Sequence, residues 1–407
     1  MNRRNFIGRS GRNLALAGLA GISNTSLTGN LLKQYNTGSQ QSENKGGMLH
    51  RTLGKTGISL PIVSMGVMNA SNPGLLRGAW EEGIRHFDTA WYYQNGNNER
   101  MVGSVLRETG AKREDITVAT KCLIGPQTGK TAKEIFLRQF SESLSRLQMD
   151  YVDILYYHMP PGLDQINDPY IWEAFTELKK QKKIRFSGFS IHTDWPEAVN
   201  DAVKRKFYDV ILISYNFSMY GDKRIADSIR LAHDAGIGLV AMKTQCRQDW
   251  YKRQLPSDLQ SFYSETNMNT ALLKWVLKNE RICTAVPGFT TVDQLREDIS
   301  VAVDLEYTQE EKDFLENKNV RVAIQSVCRQ CGTCTESCSR NADVRALIRT
   351  HMYALSYGNP LMARKTLDQI EPGRGISNCA GCTDCTSKCK YRVPVAERIS
   401  ELRGIYC

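Results

Sequence analysis

The sequence predicts an α/β protein in which a closed (β/α)8 barrel, the TIM barrel architecture, is followed by a smaller, mostly helical domain. Short β-branched or aliphatic runs alternate with longer amphipathic runs through the middle of the chain, which is typical of repeated strand–helix units. Eight of the twelve cysteines fall between residues 328 and 389, which marks a specialised C-terminal part. Because 407 residues favour more than one domain, we expect a leader and linker over residues 1–47, the barrel over 48–318 and the cysteine-rich domain over 319–407.

The barrel prediction is based on eight candidate strands separated by segments of helical length. Eight such units in about 270 residues fit a closed barrel. An open doubly wound sheet is the alternative, and it is disfavoured because no G-x-G-x-x-G turn follows the first strand. The candidate strands are Pro61–Gly66, Ile84–Phe87, Ile116–Thr120, Val152–Tyr157, Ile184–Gly188, Val210–Ser214, Gly238–Met242 and Ile282–Val286. The clearest helices are Glu134–Leu147, Tyr170–Gln181, Asp222–Ala235 and Thr270–Lys278.

The charge distribution narrows the range of partners. The formal net charge is +10, but the basic excess lies at the two ends of the chain and the central segment is close to neutral. We therefore expect a small-molecule substrate and no nucleic-acid partner. No window has the 18 or more apolar residues that a membrane-spanning helix needs, so we expect no membrane span.

The first residues are similar to a twin-arginine export signal. Arg3 and Arg4 precede Phe6 and Ile7, and a modest apolar run follows over residues 13–22. This resemblance implies a protein that is exported already folded to the periplasm. The alternative is a disordered basic tail on a cytoplasmic protein.

Polar residues stand at the carboxyl ends of the predicted strands, where barrel enzymes keep their catalytic groups. Asp88 follows the second strand with Tyr93 five residues later, while Lys121 closes the third strand and His158 the fourth. A lysine ammonium can lower the pKa of a tyrosine hydroxyl, and an aspartate keeps that lysine charged. Tyr93 and His158 would then polarise a substrate carbonyl and stabilise the alkoxide that forms when a hydride arrives.

These residues lie in segments that resemble the aldo-keto reductases across nearly the whole of residues 48–300. The resemblance implies a nicotinamide cofactor, NADP or NAD, at the barrel mouth. It also implies interconversion of an aldehyde or ketone with the alcohol, with Tyr93 as general acid/base. Short-chain dehydrogenases also use Tyr and Lys, but they need the two residues four apart, and Tyr93 has no such lysine. The matching segments are Met48–Gly57, Phe87-Asp88-Thr-Ala-x-x-Tyr93 with Gly96 and Glu99, Ala119-Thr-Lys121, and Asp150–His158.

The same resemblance implies residues that hold the cofactor. Ser190 matches a serine that binds the carboxamide in the family, and His192 stands near the place of its asparagine. NADPH-preferring members have Lys or Arg where this chain has Gly288 and Gln294, so NADP and NAD both remain open. The implied cofactor-binding residues are Ser190, His192, Gly288, Thr290, Thr291, Arg296, Glu297 and Asp298.

A C-x2-C-x2-C-x3-C motif occurs twice in the cysteine-rich end, at residues 328–338 and 379–389. With this spacing three thiolates bind one iron–sulfur cluster and the fourth binds a second cluster. The repeat resembles a two-cluster bacterial ferredoxin module and implies two 4Fe–4S clusters. Zinc and disulfides remain alternatives, but zinc knuckles leave one cysteine of each motif unexplained, and close triplets cannot all form disulfides without strain. The implied cluster ligands are Cys328, Cys331, Cys334 and Cys389 for one cluster, and Cys379, Cys382, Cys385 and Cys338 for the other.

Two functions from different classes follow from these observations. The first is an exported oxidoreductase that acts on a carbonyl or alcohol substrate, such as a sugar or a related polar metabolite. The second is an iron–sulfur electron-transfer or interaction protein, in which the barrel is a scaffold and the clusters serve a redox partner protein. Binding of a nicotinamide cofactor distinguishes the two.

We expect the insert between the cysteine motifs to be helical over residues 344–358.

Overall fold

The computed structural model describes residues 42–192, 195–246, 255–265 and 268–407, except for the side chains of residues 261, 262, 264 and 265. The twin-arginine segment and the apolar run after it lie outside the described residues. The described residues belong to one compact unit. None of the described helices has the length and apolar character that crossing a membrane requires.

A small antiparallel sheet closes the amino-terminal end of the barrel. Its strands are β1 (Glu43–Lys45), β2 (Met48–Thr52) and β3 (Ser59–Pro61). The loop between β2 and β3 buries Leu53 and Ile58, which pack with Leu60 against the apolar residues inside the barrel. The amide of Lys55 donates to the carbonyl of Gly236, which holds this loop at the amino end of a barrel strand.

Eight parallel strands form the barrel in sequential order, as predicted. A parallel bridge between Val63 and Ala285 joins the first strand region to the last, and the Gly66 amide donates to the Pro287 carbonyl at 3.0 Å. The barrel is thus closed, and the open-sheet alternative is wrong. The strands are β4 (Met65–Gly66), β5 (His86–Asp88), β6 (Thr117–Cys122), β7 (Val152–His158), β8 (Ile184–Ile191), β9 (Val210–Ser214), β10 (Gly238–Met242) and β11 (Thr284–Ala285).

Amphipathic helices surround this barrel. The helix at 169–180 shows why they form: the Asp168 side chain caps its first turn by accepting from the Tyr170 amide, proline occupies the next position, and one face is buried. Asn72, Asp222 and Thr291 cap other helices through their side chains. The described helices are α1 (Pro73–Glu81), α2 (Asn97–Glu108), α3 (Gly129–Leu147), α4 (Leu163–Ile166), α5 (Pro169–Lys180), α6 (Trp195–Arg205), α7 (Lys223–Asp234), α8 (Ser257–Glu265), α9 (Asn269–Leu277) and α10 (Val292–Val303).

The C-terminal part is helical, as expected. Its apolar core contains Leu347, Ile348, Ile399 and Leu402 together with cysteines of both motifs. The expected helix over 344–358 is regular only to residue 351 and continues as a π-helical turn, Met352–Ser356. The helices are α11 (Gln309–Glu316), α12 (Lys318–Gln325), α13 (Thr333–Glu336), α14 (Val344–His351), α15 (Pro360–Asp368) and α16 (Val395–Tyr406).

Candidate active site

A pocket of about 200 Å³ opens at the carboxyl ends of the barrel strands. Asp88, Tyr93, Lys121 and His158 all line it, so the fold brings together the four residues that were selected from the sequence as catalytic. They converge because β5, β6 and β7 are parallel neighbours and their carboxyl ends meet at the same edge.

Asp88 and Lys121 form a buried ion pair at the bottom of this pocket. The Lys121 ammonium donates to the Asp88 carboxylate and, at 2.7 Å, to the Thr89 carbonyl. Burial raises the pKa of Asp88 and lowers the pKa of Lys121, and the attraction between the two charges opposes both shifts. The pair therefore fixes the lysine beside the tyrosines above it.

Tyr93 lies next to this lysine, but its hydroxyl is not ionised more easily as a result. The Lys121 Nζ atom is 5.1 Å from the centre of the Tyr93 ring. Burial, followed by the neighbouring Tyr92 and Asp88, raises the pKa of Tyr93 well above 10. Burial thus acts against the lowering of the Tyr93 pKa that was expected from Lys121, because desolvation disfavours the phenolate.

Tyr92 is a site residue that the sequence did not single out. Its hydroxyl is hydrogen-bonded to Nε2 of His158 at 2.7 Å and also has a hydrogen bond with Tyr93. The other ring nitrogen, His158 Nδ1, lies 3.1 Å from the Ser190 hydroxyl. Burial, followed by Lys121 and Arg349, lowers the pKa of His158 well below 6.5, so the imidazole is neutral at pH 7. Tyr93, Tyr92, His158 and Ser190 thus form one chain of neutral hydrogen-bonding groups.

The turn after Tyr93 holds both tyrosines in place. Gln94 and Asn95 have left-handed backbone conformations, with φ of 48° and 57°. The Gln94 side chain donates to the carbonyls of Met68 and Ala70, which compensates for this strain. Such strain is common at functional sites.

The expected cofactor residues fall into two groups. His192, Gly288 and Thr290 line the pocket, and so do the apolar residues Leu212 and Met242. The pocket runs from the catalytic groups to the start of α10, where the helix dipole favours an anion, although the Thr290 and Gln294 amides already have side-chain partners. The residues present therefore fit a nicotinamide at the strand ends and a phosphate at the helix terminus.

The other expected cofactor residues are not among those that line the pocket. Ser190 is fully buried and bonds His158, and the Thr291 side chain caps α10. The Arg296 side chain is 66% exposed and lies 3.9 Å from Glu82, and Glu297 is half-buried on the same helix. Asp298 is buried and accepts from Gln245, a pocket residue that the sequence did not indicate.

The cysteines gather in two crossed sets of four. Cys328, Cys331, Cys334 and Cys389 line one small cavity. Burial and the three neighbouring thiols raise the pKa of Cys334 to about 12. Metals bind cysteine as the thiolate, so these four thiols would lose their protons to solvent when an iron–sulfur cluster binds.

The second set surrounds a cavity of about 140 Å³. Its cysteines are Cys338, Cys379, Cys382 and Cys385, the first of which comes from the other motif. Burial and the three other thiols raise the pKa of Cys379 to about 11. All twelve cysteines are within the described residues and none is in a disulfide. Among the described residues, no group of three or more His, Cys, Asp or Glu side chains is arranged to hold a single metal ion.

The insert between the two cysteine motifs covers the barrel mouth. Tyr353, Ser356 and Tyr357 line the pocket together with the barrel residues. The Lys365 ammonium donates to the Tyr92 carbonyl at 2.6 Å, and the Asn359 amide donates to Asn69 Oδ1 at 2.9 Å. No sequence motif indicated that the insert contacts the barrel mouth, because the two segments are more than 250 residues apart in the sequence.

A model of the aldo/keto reductase family matches residues 67–319. The chain belongs to the aldo/keto reductase family. A second family model, the 4Fe-4S dicluster domain, matches residues 327–394, which contain all eight motif cysteines. This aldo/keto reductase thus continues into a 4Fe–4S domain.

Individual relatives match the barrel portion of this reductase. L-galactose dehydrogenase of Arabidopsis thaliana is 30% identical over 284 residues, covering 63% of this chain and 88% of that protein. L-glyceraldehyde 3-phosphate reductase of Escherichia coli O157:H7 is 26% identical over 324 residues, covering 66% and 92%. The structure of an aldo-keto reductase from Bacillus halodurans has a TM-score of 0.54 at 24% identity, covering 69% of this chain and 96% of that one, which supports the fold.

Proposed function

We propose that the protein is an NAD(P)(H)-dependent oxidoreductase that interconverts an aldehyde or ketone with the corresponding alcohol. The observation that carries this proposal is the convergence of Asp88, Lys121, Tyr93 and His158 on one pocket that also reaches the start of α10. Membership of the aldo/keto reductase family supports it.

When bound, a nicotinamide supplies a hydride to the carbonyl carbon or accepts one from the alcohol. The Tyr93 hydroxyl keeps its proton at neutral pH because burial raises its pKa. It gives that proton to the carbonyl oxygen as negative charge develops there, so that carbonyl, hydride and proton together yield the alcohol. His158 is neutral and orients the oxygen by hydrogen bonding, while Lys121 stabilises the tyrosinate that remains until solvent reprotonates it.

The substrate that we propose is a polar, hydroxylated carbonyl compound. Two relatives, L-galactose dehydrogenase and L-glyceraldehyde 3-phosphate reductase, have a sugar or a sugar phosphate in their names. The pocket offers hydroxyl and amide groups for such a substrate from Tyr92, Tyr353, Ser356 and Asn69.

Replacement of each tyrosine tests the proposed proton donor. We expect Tyr93→Phe to lower the rate of carbonyl reduction by about 10²- to 10⁴-fold, the usual contribution of a general acid, and to leave nicotinamide binding intact. Tyr92→Phe is the matched variant, since it removes the neighbouring hydroxyl. Anaerobic assays and fluorescence titration with NADPH and NADH measure both effects. Turnover that survives in Tyr93→Phe would contradict the assignment, and a loss only in Tyr92→Phe would move the proton donor to Tyr92.

We also propose that the eight motif cysteines bind two 4Fe–4S clusters. The two crossed sets and the match to a 4Fe-4S dicluster domain support this. Iron and sulfide content and the absorption spectrum of anaerobically purified protein test it. Protein that contains zinc and no iron would contradict it.

A second function is favoured by the position of the first cysteine set. Cys328 shares a cavity with Lys243, which also lines the catalytic pocket. This proximity suits an iron–sulfur electron-transfer protein that uses the barrel as a scaffold and serves a redox partner. Failure of both NADH and NADPH to bind would favour this function over carbonyl reduction.

For the location, we propose export to the periplasm by the twin-arginine route. The support is the Arg3-Arg4 pair with its apolar run. Replacing both arginines by lysine should retain the protein in the cytoplasm, as measured by cell fractionation. Unchanged fractionation would favour the cytoplasmic alternative.

A further inference from the structure

The insert between the cysteine motifs begins and ends at two cysteines of the same set. Cys338 precedes residues 339–378 and Cys379 follows them, and both line the cavity of about 140 Å³ together with Cys382 and Cys385. A cluster bound by this second set would therefore join the two ends of the insert. Joining the ends of a loop of this length removes many of the conformations in which the loop is open.

The first helix of the insert, α14, packs on a core that is built around the cysteines. Leu347 of this helix lies in one apolar cluster with Cys338 and Cys379. Nearby, the Asn378 side chain donates to the Arg340 carbonyl at 2.9 Å, and this hydrogen bond is exposed. An exposed hydrogen bond contributes little, because water competes for both partners. The position of α14 therefore depends on the group that the cysteines bind.

The middle of the insert lies against the catalytic groups. Tyr353 is buried in one apolar cluster with Tyr92 and Tyr93 of the barrel. The ring centres of Tyr353 and Tyr357 are 6.0 Å apart, and both side chains line the catalytic pocket. The Lys365 ammonium donates to the Tyr92 carbonyl at 2.6 Å. A shift of the insert would therefore move one wall of the pocket and leave the strand ends in place.

We propose that the second cluster is a clasp that holds the insert over the pocket. Tyr353 and Tyr357 then form a substrate wall that is in place only while this cluster is bound. The inference rests on the proposed clusters and on the proposed carbonyl chemistry, and it gives the second cluster a role in substrate binding. This role requires no electron transfer between the cluster and the nicotinamide.

Two cysteine variants test the clasp without any turnover. Cys385→Ala removes an exposed ligand of the second set that lies outside the insert, and Cys331→Ala removes a ligand of the first set. We expect each variant to lose about four of eight iron atoms. Trypsin should cleave after Arg364, an exposed residue of α15, at least about 10-fold faster in Cys385→Ala, because a helix is cut only in its opened form. Cleavage of Cys331→Ala should stay close to the wild-type rate.

Two results of this proteolysis would overturn the clasp. The first is a Cys385→Ala protein that has lost four iron atoms and is still cut at the wild-type rate. The second is equal acceleration in Cys385→Ala and Cys331→Ala, since the insert would then depend on both clusters alike. The four iron atoms that remain in each variant report that the domain is still folded.

A variant that keeps both clusters tests the substrate wall. Lys365→Met removes the hydrogen bond to the Tyr92 carbonyl, and we expect the KM for glyceraldehyde to rise about 10-fold while kcat changes less than about twofold. Cys385→Ala should raise the KM by at least as much, because apparent affinity falls with the fraction of molecules whose wall is in place. Lys365→Arg, which keeps a donor, should recover part of the loss. The control is Arg364→Met, an exposed neighbour that should behave as the wild type.

Nicotinamide binding separates this inference from the proposed function. The Kd values of NADPH and NADH, measured by fluorescence titration, should change less than about twofold in all of these variants, since the clasp acts on the substrate wall. An unchanged KM in Lys365→Met or in Cys385→Ala would overturn the wall. Absence of carbonyl reduction by the wild-type protein would overturn the proposed function instead, and the trypsin result would still decide the clasp.

Discussion

At the scale of single residues, burial sets the protonation states of the hydrogen-bonded chain from Tyr93 through Tyr92 to His158. Burial moves the tyrosine pKa values upward and the histidine pKa downward. The hydroxyls therefore keep their protons in alkali, and the imidazole stays neutral in mild acid. All three groups are uncharged over a wide range around pH 7.

This pattern predicts that carbonyl reduction has no acid limb near pH 6.5, because burial lowers the pKa of His158 well below 6.5 and keeps Tyr93 protonated. A change of kcat near pH 8 would belong to Lys243, which lines the pocket and whose pKa burial lowers to about 8. Oxidation of the alcohol needs the tyrosinate as base, so its rate should still rise toward high pH. Initial rates in both directions as a function of pH give the measurement, and an acid limb near pH 6.5 for reduction would contradict neutral His158.

The sequence could predict some of these residues and not others. Asp88, Lys121 and His158 were accessible because each closes a barrel strand, and strand ends of a barrel converge. The place of Tyr92 in the site was not accessible from the sequence. Which of the two adjacent tyrosine side chains meets His158 depends on the two left-handed residues that follow them. The hydrogen bonds of Ser190 to His158 and of Asp298 to Gln245 could not be predicted, because they join segments that are distant in the sequence.

At the scale of elements, two helical glycines show how closely the outer helices pack. A Cβ on Gly103 of α2 would lie 2.1 Å from the backbone carbonyl oxygen of Leu147 at the end of α3. A Cβ on Gly78 of α1 would meet only the Leu295 side chain at 3.8 Å, an ordinary contact. The same substitution should therefore have opposite effects at the two positions.

We expect Gly103→Ala to lower the free energy of unfolding by about 1–3 kcal/mol, since backbone atoms must move to admit the methyl group. Gly78→Ala should raise it by about 0.5–1 kcal/mol through helix propensity. Anaerobic urea unfolding of the two variants beside the wild type measures the difference. Equal shifts in both variants would show that the α2–α3 contact is looser than described.

Element types were largely predictable, and their junctions were not. The buried central strands at 152–158 and 210–214 begin and end within a residue of prediction, since continuous apolar runs mark them. The first and last barrel strands are shorter than predicted, because only a few residues pair where the barrel closes. The π-helical turn has no signature in local composition, although it shapes the wall that carries Tyr353.

At the scale of the whole molecule, the cysteine motifs are crossed. Cys389 of the second motif joins Cys328, Cys331 and Cys334, and Cys338 of the first motif joins the other three. We predict that Cys389→Ser lowers iron content from about eight to about four atoms per chain. Cys338→Ser should lose the same amount but leave a remaining cluster with a different electron paramagnetic resonance spectrum. Cys407→Ser, an exposed cysteine outside the motifs, is the control and should keep all the iron.

Identical spectra for the clusters that remain in Cys389→Ser and Cys338→Ser would contradict the crossed arrangement. The arrangement matters for the barrel because the insert between the motifs covers the catalytic pocket. The cysteine sets were predicted from the resemblance of the two motifs to a two-cluster ferredoxin module. The position of the insert depends on contacts between distant segments, which periodicity and spacing do not encode.

The central claim is that the pocket carries out hydride transfer between a nicotinamide and a carbonyl carbon. Its most direct test is deuterium transfer from NADPH or NADH labelled at C4 to glyceraldehyde by the anaerobically purified wild-type protein, with Tyr93→Phe as control. We predict an alcohol with one deuterium on the former carbonyl carbon, and a strong loss of this product in Tyr93→Phe. The claim would be contradicted if the alcohol contained no deuterium with the label on one face of the nicotinamide and none with the label on the other face. A complete absence of product with both NADPH and NADH would also contradict it.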